Sequence, residues 1–135
     1  IPGFREQVRV VNEGLAAVVR RGAKEGLHMV LNGVHVVPGY LEEVLEEQPR
    51  HLFRFVLSVP AESQHEMFFF EREQASRRPA RRYVDNIDKI RRVQDFILEM
   101  AEKNGVCVVE NTEFETTLKT IHQNVVSAFA EEISQ

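Results

Sequence analysis

The sequence predicts an α/β domain in three layers, a parallel β-sheet with helices on both faces. Three observations carry this. Apolar residues recur at helical spacing in several stretches, short and nearly continuous apolar runs stand between them, and glycine, proline or asparagine marks the joints. Parallel strands covered on both faces read as unbroken apolar runs, and strands separated by helices call for crossover connections. At 135 residues the chain has the length of one ordinary domain, and residues 1–135 read as a single unit without an internal repeat or a low-complexity linker.

Taken in order, Phe4, Val8, Val11, Leu15, Val18, Val19 and Ala23 lie along one side of a first helix, with Arg20, Arg21 and Lys24 on the other and Gly26 just past its end. "HMVLNG" is an apolar run between Gly26 and Gly33, predicted to be the first buried strand. "YLEEVLEEQP" is a short acidic helix stopped by Pro49. Leu52 to Val59, "LFRFVLSV", is rich in strand formers. Pro60 stands where a helix likes to begin, and Ala61 to Gln74 follows with "MFFF" at its centre. "ASRRPARR" breaks the periodicity. A long helix is predicted from about Val84 to Lys103, its inward face set by Ile87, Ile90, Gln94, Ile97 and Ala101, closed by Asn104-Gly105. "VCVVEN" is the third strand. Thr112 with Glu115 forms a capping-box pattern opening a last helix whose stripe is Phe114, Leu118, Ile121, Val125 and Phe129.

With 43% apolar and 28% charged residues the chain can bury a core, and no apolar run approaches the ~18 residues of a membrane span. A net charge of −4 speaks against a general nucleic-acid binder. The single cysteine, Cys107, excludes an intrachain disulfide and is expected in the core of its strand rather than as a nucleophile. A cytoplasmic location is expected. The five histidines show no paired ligand spacing, so no metal site is expected. Ile1 rather than methionine opens the chain, from which a longer parent protein is expected.

Open parallel sheets bind ligands beyond the carboxyl ends of their strands. That rule selects "NGVH" with Asn32 and His35, "SVPAESQH" with His65, and Glu110-Asn111. For His35 alone a plain packing role under the loop is the commoner reading, because single histidines are usually structural. The denser signal is Arg72, Arg77, Arg78, Arg81 and Arg82, with no acid between Glu73 and Asp85. Such like charges repel one another, and guanidinium forks match phosphate oxygens, so the segment reads as a clamp on phosphoryl groups. A solvated basic loop is the competing explanation.

Several stretches in sequence order, "GFREQVRVVNEGLAAVVRRGAKEG", "NGVHVVPG", the run from His65 through Phe69 to Arg72, "RYVDNIDKIRRVQDFI" and "VCVVEN", resemble the 2-phosphoglycerate kinase family among the P-loop kinases. The resemblance implies a nucleotide-kinase-like P-loop fold truncated at the N-terminus, with an arginine-rich lid at about residues 61–83. It implies ATP-dependent phosphorylation of 2-phosphoglycerate to 2,3-bisphosphoglycerate, with ATP and Mg²⁺ as cofactors. It further implies Arg72, Arg77 and Arg78 in a catalytic role over the transferred phosphoryl group. Asn32, His35, His65, Arg81, Arg82 and Tyr83 would bind substrate, and Tyr83 with Asn86 would order the returning lid helix. No G-x-x-x-x-G-K-[ST] occurs in these residues, so the phosphate cradle of such kinases is absent and the chain alone is expected not to transfer phosphate from ATP. Asn32 stands where an acid is expected in the family. This keeps open a non-catalytic P-loop-kinase-like domain that binds a phosphorylated ligand or a protein partner. A nucleic-acid contact through "RRPARR" is disfavoured by the net charge. A homo-oligomer is compatible with an unfilled sheet position.

Overall fold

Pro2 fixes φ for a first helical turn, and α1 (Pro2–Glu25) runs from there until Gly26 takes φ 67°, its N–H and that of Leu27 closing back onto Ala23 and Gly22. The computed structural model describes residues 1–134. After α1 come α2 (Tyr40–Val44), β1 (Phe55–Ser58), α3 (Glu62–Ala75), α4 (Ala80–Val84), α5 (Ile87–Lys103), β2 (Cys107–Glu110) and α6 (Phe114–Ser134). β1 and β2 pair in parallel, Phe55 beside Cys107 through Ser58 beside Glu110, with α5 as part of the connection. The α/β class and the parallel pairing agree with the expectation from sequence.

Three apolar clusters hold these elements. Ala16 and Val19 of α1 meet Leu41 and Leu45 around α2. Val8 of α1, Val37 of the following loop and Phe96 of α5 form a second cluster, flanked by Phe4, Tyr40, Ile97 and Met100. Val56 of β1 packs with Ala101 and Val106 against the other flank of α5, where Ile97 joins again. The loop "NGVHVVPG" therefore stays apolar because Val37, 1% exposed, is a core residue between two helices.

Four expectations need correction. The run Leu27–Asn32 is not a strand: it has no ladder partner among the described residues, and Val30 is 94% exposed. An extended segment becomes a strand only when a neighbour takes its backbone N–H and C=O groups. The sheet accordingly has two strands rather than three, and its faces are covered only in part, Leu57 and Val108 remaining open. Cys107 is exposed, because of the four residues of β2 only Val109 is buried. The apolar stripe of α6 is likewise open, with Phe114 and Leu118 exposed and Thr117 its one buried residue among the described ones.

Boundaries moved for local reasons. α5 begins at Ile87 rather than Val84, because the N–H of Asn86 turns back to the carbonyl of Tyr83 after α4. α6 begins after Glu113, whose carboxylate accepts the Thr116 hydroxyl at 3.0 Å, rather than after Thr112. At Gly39, φ is 92°, and an added Cβ would sit 2.9 Å from both terminal atoms of the Asn104 amide. Gly39→Ala is therefore expected to cost about 1–3 kcal/mol of stability. The measurement is the urea midpoint at unchanged m, with Gly33→Ala, whose nearest neighbour is a Val36 methyl at 3.9 Å, shifting stability by less than about 0.5 kcal/mol.

Candidate functional site

Val59 and Pro60 follow the carboxyl end of β1 and lead through Ala61 into α3, where the side-chain amide of Gln64 donates to Thr112 O just beyond β2 at 2.9 Å. Both strands thus end beside the base of α3. This helix of 14 residues buries none of them. It is about 21 Å long at 1.5 Å rise per residue. α4 packs back against it and α5 returns to the sheet. The result is a helical hairpin standing out from the carboxyl edge, which puts Arg72 and the arginines after it far along the hairpin.

Along the hairpin the side chains form a ladder. His65 and Phe69, one turn apart, stack with ring centroids 5.1 Å apart, and Phe69 stacks on Tyr83 at 4.9 Å. The Arg72 guanidinium lies 5.2 Å from the Tyr83 ring centroid, with its Nη2 3.4 Å from the phenolic oxygen. Tyr83 thus ties α3 to α4. Below it, Asn86 donates from Nδ2 to Arg82 O at 3.0 Å and accepts from Lys89 Nζ at 3.1 Å. Burial, with a smaller push from the Arg91 guanidinium, holds the pKa of His65 below its ordinary 6.5. Its Nδ1 is buried without a hydrogen-bond partner.

Beyond the ladder, Arg77, Arg78, Pro79, Arg82 and Tyr83 line a cavity of about 450 Å³. Among the described residues the one carboxylate pairing in this segment is Arg81 with Asp85, at 3.9 Å and well exposed. The lining arginines project into an electropositive concavity with five N–H donors apiece. Its chemistry suits a small polyanion.

The structure brings together His65, Arg72 and Tyr83, and gathers Arg77, Arg78 and Arg82 at the cavity. Asn32 and His35 lie elsewhere. Asn32 is exposed, and His35 packs on α1, its ring 5.3 Å from that of Phe4 and its Nε2 3.4 Å from Gln7 Oε1. Buried Asn12 of α1 holds the His35 carbonyl through Nδ2 at 2.8 Å. Among the described residues no group of three or more His, Cys, Asp or Glu side chains is gathered for a metal ion.

Sequence reasoning missed Arg91 and Gln94. Arg91 donates to Val59 O at 2.6 Å and Pro60 O at 2.9 Å, while Gln94 accepts from Val59 N at 2.9 Å and donates to Val59 O at 3.1 Å. The signal was present: Gln94 is a polar residue on the inward face of α5, where an amide must find partners.

No family model and no solved structure matches the chain. Curated relatives do. It is 38% identical over 131 residues to a 2-phosphoglycerate kinase of Thermococcus kodakarensis, a match covering 97% of this chain and 43% of the relative. It is 39% identical over 121 residues to a 2-phosphoglycerate kinase of Methanothermobacter thermautotrophicus, covering 88% of this chain and 39% of that one. A Pyrococcus horikoshii 2-phosphoglycerate kinase is 33% identical over 126 residues, 93% of this chain and 40% of its own length. The chain therefore corresponds, over nearly its whole length, to about two fifths of the 2-phosphoglycerate kinase sequences it matches.

Proposed function

We propose that this chain is the phosphate-gripping portion of an ATP-dependent kinase acting on 2-phosphoglycerate, with the three-layer P-loop sheet completed by the remaining portion of the parent protein. The observation that carries the reading is the arginine-lined cavity at the far part of a hairpin that rises from the carboxyl edge of a parallel sheet. Phosphoryl transfer asks little covalent chemistry of the protein; it is driven by positioning and by donors aimed at developing negative charge. Arg72, Arg77 and Arg78 fit the charge-stabilising role, the last two while also lining, with Arg82, the cavity that would hold the acceptor's own phosphate. Arg81, Arg82, His65 and Tyr83 fit substrate binding, His65 through the ring stack that joins it to Phe69 and Tyr83. Asn32 and His35 join the site only if the rest of the parent brings a ligand to the "NGVH" turn.

The residues here do not fit a nucleotide or Mg²⁺ by themselves. They contain no G-x-x-x-x-G-K-[ST], and no acidic cluster is gathered among the described residues. ATP and Mg²⁺ are therefore assigned to the other three fifths of the parent. A non-catalytic relative that binds phosphorylated ligands is the second reading, favoured by the neutral Asn32 in its exposed turn.

Arg72→Ala and Arg78→Ala in the complete parent are expected to lower kcat by about tenfold to a thousandfold. Unchanged steady-state rates in both variants would contradict the assignment. The purified 135-residue chain is expected to give no phosphotransfer from ATP, and a measured turnover would contradict that. His65 supplies a pH test. Its folded pKa lies below 6.5, so between the two values the unfolded chain binds more protons and stability rises with pH. The contribution is complete above pH 6.5 and is lost as pH falls toward the folded value. An NMR titration of the imidazole should give a midpoint below 6.5, and one at or above it would contradict the reading.

A further inference from the structure

We infer that Arg91 and Gln94 are positioning residues: together they lock the joint between β1 and α3 and so aim the arginine-bearing hairpin. The inference rests on the proposed role of that hairpin.

Three residues, Val59 to Ala61, join β1 to α3, and every backbone hydrogen-bonding group of the first two is engaged from α5, while the Ala61 carbonyl already accepts from His65 N in the first turn of α3. Val59 N donates to Gln94 Oε1 at 2.9 Å, and Val59 O accepts from Gln94 Nε2 at 3.1 Å and from Arg91 Nη1 at 2.6 Å. Pro60 has no N–H, and its carbonyl accepts from Arg91 Nη2 at 2.9 Å. Both identities are demanded by the geometry. Only a guanidinium reaches two successive carbonyls with two parallel donors, and lysine offers a single point of charge. Only an amide donates and accepts at once, whereas a glutamate would face the Val59 carbonyl with a second acceptor.

The leverage is long. α3 buries no residue; past Gln64 its contacts through Phe69 and Arg72 run to Tyr83 of α4, which belongs to the same hairpin, so the direction of the hairpin is set at its base. A rotation of about 5° at the base sweeps the far end of a ~21 Å helix by about 2 Å. Misplacing a reacting group by about 1 Å can cost about a hundredfold in rate. The Arg91 guanidinium is spent on carbonyls, so it is not available to a phosphate; it differs in this from Arg77, Arg78 and Arg82 at the cavity.

The experiment uses the complete parent kinase carrying Arg91→Met and Gln94→Leu, with Arg91→Lys and Gln94→Asn, which keep a cation and an amide, as milder variants should either of the first fail to fold. Amide hydrogen exchange is read at Val59 and along α5, and kcat and KM are read for the phosphorylated acceptor and for ATP. The expected result is Val59 exchange faster by at least about tenfold with α5 still protected. With it, kcat/KM for the acceptor falls by about tenfold to a hundredfold while KM for ATP stays within about twofold. Arg91→Lys falls between wild type and Arg91→Met. Unchanged acceptor kinetics despite faster Val59 exchange overturns the inference, as does unchanged Val59 exchange. If instead Arg72→Ala and Arg78→Ala leave activity intact, the hairpin's role fails separately from the latch.

Discussion

Burial of α5 is the constraint on which the other elements depend. Phe96, 5% exposed, closes the cluster made by Val8 of α1 and Val37 of the loop, while Ala101, fully buried, seats β1 through Val56. Ile97 flanks both clusters. Burying a side chain the size of phenylalanine is worth about 1.5–3 kcal/mol, which α5 gains through Phe96 on one side, while on the other the small Ala101 lets β1 approach closely. The Arg5 guanidinium covers the remaining face of the Phe96 ring at 4.7 Å. Without α5 in place, the "NGVHVVPG" loop keeps only α1 to pack on and β1 loses its cover.

The same helix sets up the polar end of the molecule. Its inward face carries the apolar contacts in its middle, and its first half presents Arg91 and Gln94 to the joint after β1. From that joint the hairpin leaves the body of the protein with its arginines unscreened by packing. A chain of net charge −4 that nevertheless concentrates guanidinium groups around one cavity stores mutual repulsion there. A phosphate bound as proposed would relieve it, each charge-assisted contact being about twice as strong as a neutral one.

Much of this was legible in the residues. Gly26 and Asn104-Gly105 ended their helices as their chemistry dictates, and the apolar runs 55–58 and 107–110 became paired strands. Legibility failed where an element's fate depends on a partner outside itself. Leu27–Asn32 has the composition of a buried strand, yet composition cannot supply a neighbouring ladder. The stripe of α6 has helical spacing, yet spacing does not say that anything covers Phe114 or Leu118. Within the site, the arginine cluster was visible as charge density, but His35 was not separable from a packing residue, and it packs on Phe4 and Gln7 of α1. Arg91 was hidden because an arginine on carbonyls looks, in sequence, like any surface arginine.

The central claim is that Arg77, Arg78 and Arg82 hold a phosphate group on the acceptor. Its most direct measurement is an NMR titration of the arginine Nε–Hε signals of the complete parent kinase, once with 2-phosphoglycerate and once with glycerate. The account predicts that the signals of these three arginines shift and saturate with the phosphorylated compound and stay in place with glycerate. Equal shifts with both compounds, or saturating shifts confined to arginines outside residues 72–82, would contradict it.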